Sequence, residues 1–198
     1  MAVDEKDVKL LMALIAQASA SRFGKYCKID FQVKDDCPEL TDAKYASEIG
    51  MIMIWGSLGA VTLKVHFDID VAIRYTAQSL GHAVDQVTEK TAREFVREMG
   101  NLIAGYLRGF FGKNKVVLGM SLPFLAKGED ESIFRKIRDP RAHFNRWILK
   151  SPLGDLNCTA EVLFLEVETI AILNPIIKTE IEVFRSKTEP DDGDVEFI

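Results

Sequence analysis

Residues 88–111 read TEKTAREFVREMGNLIAGYLRGFF, and the fold is legible from this stretch outward. Phe95, Met99, Leu102, Ile103, Tyr106, Leu107 and Phe110 recur at helical spacing and predict one apolar stripe. A second stripe runs opposite: Glu94, Glu98, Asn101, Gly105 and Arg108. Residues three apart on a helix are neighbours, so Glu98 and Asn101 leave adjacent turns in the same direction. The spacing therefore predicts a long helix with one face for a core and one face presenting a carboxylate beside a carboxamide.

That polar stripe is built at a cost. Asn competes for local backbone groups inside a helix. Gly100 and Gly105, on either side of it, each cost about 1 kcal/mol relative to Ala. Gly105 would leave bare backbone beside the amide, where another molecule could come close. A solvated face with glycines placed for inward packing explains the same residues, and periodicity alone does not decide between the two.

At 198 residues with 47% hydrophobic and 28% charged residues, the chain is ordinary for one globular domain. A net charge of −5 argues against nonspecific nucleic-acid binding and against anionic membranes. No apolar run reaches the roughly 18 residues that span a bilayer. The acidic start, MAVDEKD, lacks the basic region of a secretory signal. Cys27, Cys37 and Cys158 have no CxxC spacing and cannot all pair, which fits a reduced, cytoplasmic protein. No HExxH, paired cysteines or calcium-loop spacing is present, so no metal ligand set is expected.

Working outward, residues 4–22 predict a helix that Gly24 stops, and 28–33 a half-buried strand. Residues 34–44 read as a connection. Two strands, 47–55 and 60–67, are joined at Gly56-Ser-Leu-Gly59, a hairpin signal. In the second, Val61, Leu63, Val65 and Phe67 share one face, and Thr62, Lys64 and His66 the other; His66 is expected at the surface. Asp68 is placed to cap a helix over 69–80 that Gly81 closes, and Thr88 to cap the long helix. Strands follow at 116–122, 144–150 and 156–167, the last two around a turn at 151–155. Residues 124–143 read as a charged surface insertion with a short helix. Residues 168–184 fit strand or helix and are interrupted by Pro175.

The residues Glu98-Met-Gly-Asn101, then Ala104-Gly105 and Pro123, resemble the signature of the CheC/CheX/FliY chemotaxis phosphatases. That pattern is Asp or Ser, three residues, Glu, two residues, Asn, then about two dozen positions to a Pro. One copy is visible, which is closer to CheX than to the two-copy CheC. Ile54-Trp-Gly-Ser-Leu-Gly-Ala-Val-Thr-Leu-Lys-Val resembles the family's glycine hairpin, and the likeness covers roughly residues 5–123. One departure stands out: Glu94 occupies the Asp/Ser position.

The resemblance implies an α+β fold, an antiparallel-rich sheet covered by the N-terminal, second and signature helices. It implies residues 1–186 as one domain, with 187–198 expected as an acidic, mobile tail. It further implies a phosphatase of two-component signalling, acting on the aspartyl phosphate of a CheY-like response regulator. In it Asn101 orients the attacking water, Glu98 docks to the receiver's lysine, and Glu94, Gly105 and Pro123 complete the binding surface. Mg2+ would be carried by the partner, and a homodimer is implied. A noncatalytic module that docks to a receiver or flagellar component is the alternative, and Glu94 and the extra charged segment at 124–143 keep it open. A structural dimerisation domain unrelated to signalling is a third reading.

Overall fold

Period-two alternation in two adjacent runs builds the centre of the protein. In the computed structural model, which describes residues 4–35, 46–57, 59–165 and 167–186, strand β2 (Glu48–Gly56) pairs along its whole length with β3 (Gly59–Phe67). Gly59 at the turn has φ +143°, and a Cβ there would lie 1.9 Å from the Leu163 carbonyl oxygen, so only glycine fits. The hairpin is extended on both sides into a seven-stranded sheet with every pairing antiparallel. The order is β1 (Gln32–Lys34), β6 (His143–Lys150), β7 (Leu156–Phe164), β3, β2, β4 (Leu118–Met120), with β5 (Phe124–Lys127) also on β2. This is the α+β arrangement expected.

One face of the sheet, carrying Ile52, Ile54, Leu63, Val65, Phe67, Trp147, Cys158 and Ala160, is packed under helices. Those helices are α1 (Glu5–Cys27), α2 (Ile69–Leu80), α3 (Glu89–Lys113) and α5 (Val167–Ser186). Phe23 of α1 lies where three of them meet. Its ring is 5.8 Å from Phe31, 6.3 Å from Tyr75 of α2 and 6.4 Å from Phe95 of α3.

Several local expectations change. Helix α1 runs through Gly24 to Cys27 and ends where Lys28 takes the left-handed conformation, its amide donating to the Gly24 carbonyl. The first strand accordingly begins at Gln32, not Lys28. Asp68 stands at the head of α2, but its carboxylate accepts from the Ser47 amide at 2.9 Å instead of capping the helix. Residues 167–186 form one helix despite Pro175, because Leu173, Ile177, Ile181 and Phe184 bury one continuous stripe. Residues 124–127 of the charged segment form strand β5, and 131–137 form a short helix, α4 (Glu131–Ile137). The connection at 36–45, with Cys37, and the tail at 187–198 lie outside the described residues.

The largest correction concerns the second face of β3. Lys64 is 2% exposed and His66 1%. His66 Nε2 is 3.3 Å from Thr159 Oγ1, and its pKa is pulled down to about 3 by burial and then by Lys64 and Arg146. The imidazole is therefore neutral across physiological pH. The alternation holds, but this face is met by Glu131 and Thr159, which lie more than 60 residues further along the chain.

Candidate functional site

The signature helix begins as its sequence dictates. Thr88 Oγ1 accepts from the Thr91 amide at 3.2 Å, and Glu89 sits in the first turn. Two arginines then fix the helix to the sheet edge. Arg93 grips Glu48 of β2 with contacts of 2.6, 2.8 and 2.9 Å. Arg97 donates to the Pro123 carbonyl at 3.3 Å and to Glu94 at 2.9 and 3.2 Å. Between them the backbone comes down close to the strand. A Cβ on Gly50 would stand 2.9 Å from Val96 Cγ1, and one on Gly100 would stand 3.8 Å from Ile52 Cγ2. Gly100 thus faces the sheet, with room there for a methyl group.

The buried side of α3 is Ala92, Val96, Met99, Gly100, Ile103, Ala104, Leu107, Phe110 and Phe111. This is rotated from the expected stripe, with Phe95, Leu102 and Tyr106 partly exposed. The cause is that α3 meets the sheet on one side and other helices on the next. Phe95 abuts Phe23 of α1, and Tyr106 lies against Phe184 and donates to Glu180 of α5.

The remaining arc faces out. Glu94, Glu98 and Arg108 are exposed, and Asn101 and Gly105 are partly exposed. Asn101 Nδ2 donates to Glu98 Oε2 at 3.2 Å. The amide nitrogen must face the carboxylate, since an amide oxygen there would oppose another acceptor. This leaves the carboxamide oxygen, one N–H and one carboxylate oxygen for a partner. A Cβ at Gly105 would meet nothing within 4 Å, so approach to the backbone beside Asn101 is open.

Pro123 is placed differently from the other four residues. It is buried, lining a cleft with Val96, Arg97 and Gly100, and its carbonyl is an anchor for α3. Glu94 shares the outer face but is engaged by Arg97. Arg93 and Arg97, which hold the helix, were not singled out by the sequence. Arg97 had a readable signal, three residues after Glu94; the Arg93–Glu48 pair spans 45 positions and had none. Ser121 is a further support: its amide donates to the Met53 carbonyl at 2.9 Å, and its Oγ accepts from the Met53 amide at 3.0 Å. It carries the edge from β4 to β5 just before Pro123.

Among the described residues no group of three or more His, Cys, Asp or Glu side chains could hold a metal ion. No helix among them is long and apolar enough to cross a membrane.

No protein-family description matches this sequence, and no curated protein is similar to it. Similarity appears among solved structures. The chain superposes on a CheC-like superfamily protein from Shewanella sp. PV-4 with a TM-score of 0.62, at 11% identity, over 78% of this chain and 97% of that one. The chemotaxis protein CheX from Vibrio vulnificus gives 0.59 at 13% identity, over 78% and 96%. The CheX–CheY–BeF3–Mg2+ complex from Borrelia burgdorferi gives 0.54 at 16%, over 76% and 96%. At these identities the likeness is one of fold, and the α+β architecture of this chain is the CheC/CheX-like fold.

Proposed function

We propose that this protein accelerates hydrolysis of the aspartyl phosphate on a CheY-like response regulator. The observation that carries the reading is the Glu98–Asn101 pair, hydrogen-bonded at 3.2 Å and facing outward from a helix fixed at two points to the sheet. Its support from outside the chain is a fold shared with a CheX solved together with CheY, BeF3 and Mg2+.

The chemistry asks little of such a pair. In the hydrolysis, water oxygen attacks phosphorus, the bond from phosphorus to the aspartyl oxygen breaks, and the proton of the water leaves with inorganic phosphate or solvent. Phosphoryl transfer depends on alignment and charge stabilisation, which the receiver's own Mg2+ and lysine supply. What is missing is a fixed water in line with the breaking bond. The Asn101 oxygen accepts from that water without taking its proton, and the free N–H steadies it or a phosphoryl oxygen. Glu98 meets the receiver lysine, and the open backbone at Gly105 lets the partner surface close on the helix. Both side chains belong to one chain, so the homodimer that the resemblance implies is part of the reading without being required by the chemistry.

The noncatalytic alternative rests on Glu94. Held by Arg97, it places a carboxylate where the family pattern has Asp or Ser. The two readings separate in one assay of phosphorylated receiver against time. On the catalytic reading wild type shortens the lifetime. Glu98→Ala keeps the maximal rate but needs about tenfold more receiver to reach it, the loss expected for one charge-assisted contact of about 1.4 kcal/mol. Binding without any shortening of the lifetime would support the docking module, and an unchanged half-saturating concentration would remove Glu98 from the interface.

A further inference from the structure

The sheet order forces one connection across the face that carries no helix layer. Strand β5 lies on β2 near one edge, and β6 lies beyond β7 toward the other. The chain between them must therefore pass over β3 and β7. It leaves β5 at Gly128, whose amide donates to the Ser47 carbonyl at 2.9 Å and whose backbone is too close to Ala46 for any side chain. It rejoins the sheet at His143.

Ion pairs, with two aromatic rings against their cations, hold this crossing. Lys64 of β3 points up from the sheet and donates to Glu131 of α4 at 3.0 and 3.3 Å, both side chains being 2% exposed. It also reaches Glu161 of β7 at 3.1 Å. Arg138, at the end of α4, closes the set on Glu161 at 3.1 Å and lies 4.1 Å over the Phe144 ring. The Phe134 ring is 4.9 Å from the Lys64 ammonium. Helix α4 is thus seated on Glu131 and Phe134, with Ile133 and Ile137 outward, 55% and 72% exposed. The same face of the sheet carries Ile49, Met51 and the His66–Thr159 pair, all buried.

We infer that residues 129–142 form an ion-locked strap that detaches from the sheet as a unit while the helix-covered core stays folded. A buried ion pair of this kind fixes register, but its charges regain hydration when it opens, so it resists separation less than an apolar seam of equal area. The strap also ends on strands whose pairing does not depend on it: β5 is held by β2, and β6 by β7. Its release uncovers Lys64 and Glu161, on the face of the sheet opposite the signature helix.

The test uses the whole chain and trypsin, which has Arg135, Lys136, Arg138 and Arg141 within the strap as cleavage points. Lys64→Met takes the two short contacts from buried Glu131 and leaves it Arg135 at 4.0 Å, so the strap opens. Cleavage there should rise about a hundredfold over wild type, the scale of a broken buried pair. The thermal midpoint should stay that of wild type, and the two fragments should remain together through the sheet. Arg138→Gln, at the rim of the cluster, should raise cleavage by about tenfold in the same place. Cleavage at the wild-type rate in both variants would overturn the inference. So would a Lys64→Met protein that fails to fold or whose midpoint falls along with its resistance, since the strap would then belong to the cooperative core.

Discussion

Asn101→Ala is expected to lower the maximal rate of receiver dephosphorylation by about a hundredfold, the scale on which a misplaced reactant loses catalysis. The half-saturating receiver concentration should stay near that of wild type, because Glu98 and the flanking surface remain. The fold should be kept: Asn101 is a partly exposed helix-interior residue, and Ala is the better helix former there. What is lost is the acceptor that holds water in line and the N–H shared with Glu98. A rate equal to wild type would take Asn101 out of the chemistry. A raised half-saturating concentration at unchanged maximal rate would make it a docking residue only.

A large loss of stability is expected at Phe23. The side chain is fully buried and touches rings from three directions, joining α1 to α2, to α3 and to the chain entering β1. Each of those rings is inclined to Phe23, two of them are stacked on each other, and neighbours so fixed cannot close fully over a vacated site. Phe23→Ala should cost about 4 kcal/mol. Over a domain of this size that corresponds to a midpoint lower by about 10 °C. Urea unfolding followed by circular dichroism measures it. A loss below about 1 kcal/mol would show that the cluster relaxes into the space and is not where the helices are fastened.

The parts of this protein readable from sequence are those where one local rule decides. The hairpin was legible because Gly56-Ser-Leu-Gly59 separates two runs of clean alternation, and the signature helix because its period is sustained for seven turns and Thr88 caps it. Glu98 and Asn101 were legible as neighbours for the same reason, since a spacing of three needs nothing beyond the helix itself. What escaped was set by distant chain. Lys64 and His66 read as a solvent face because nothing nearby says that Glu131 will meet the one and Thr159 the other. Strand β5 offers four residues and borrows its definition from the free edge of β2. Pro175 reads as a break, yet the stripe of Leu173, Ile177, Ile181 and Phe184 buried beside α1 outweighs one missing hydrogen bond. On α3 itself, Gly100 and Gly105 look alike in sequence. Only the structure separates them: Gly100 is turned toward Ile52 and Gly105 toward open space.

The reading as a whole depends on the Glu98–Asn101 pair being the part of the surface that a receiver's acyl phosphate meets. The side-chain amide resonance of Asn101 reports on this directly. A CheY-like receiver carrying beryllium trifluoride in place of the phosphoryl group is titrated into the labelled protein. The account predicts that the Asn101 amide signal and the α3 backbone around residues 98–105 shift together, and that the same receiver without beryllium trifluoride and Mg2+ moves them far less. Shifts confined to another surface, with the Asn101 signal unmoved at saturation, would contradict it.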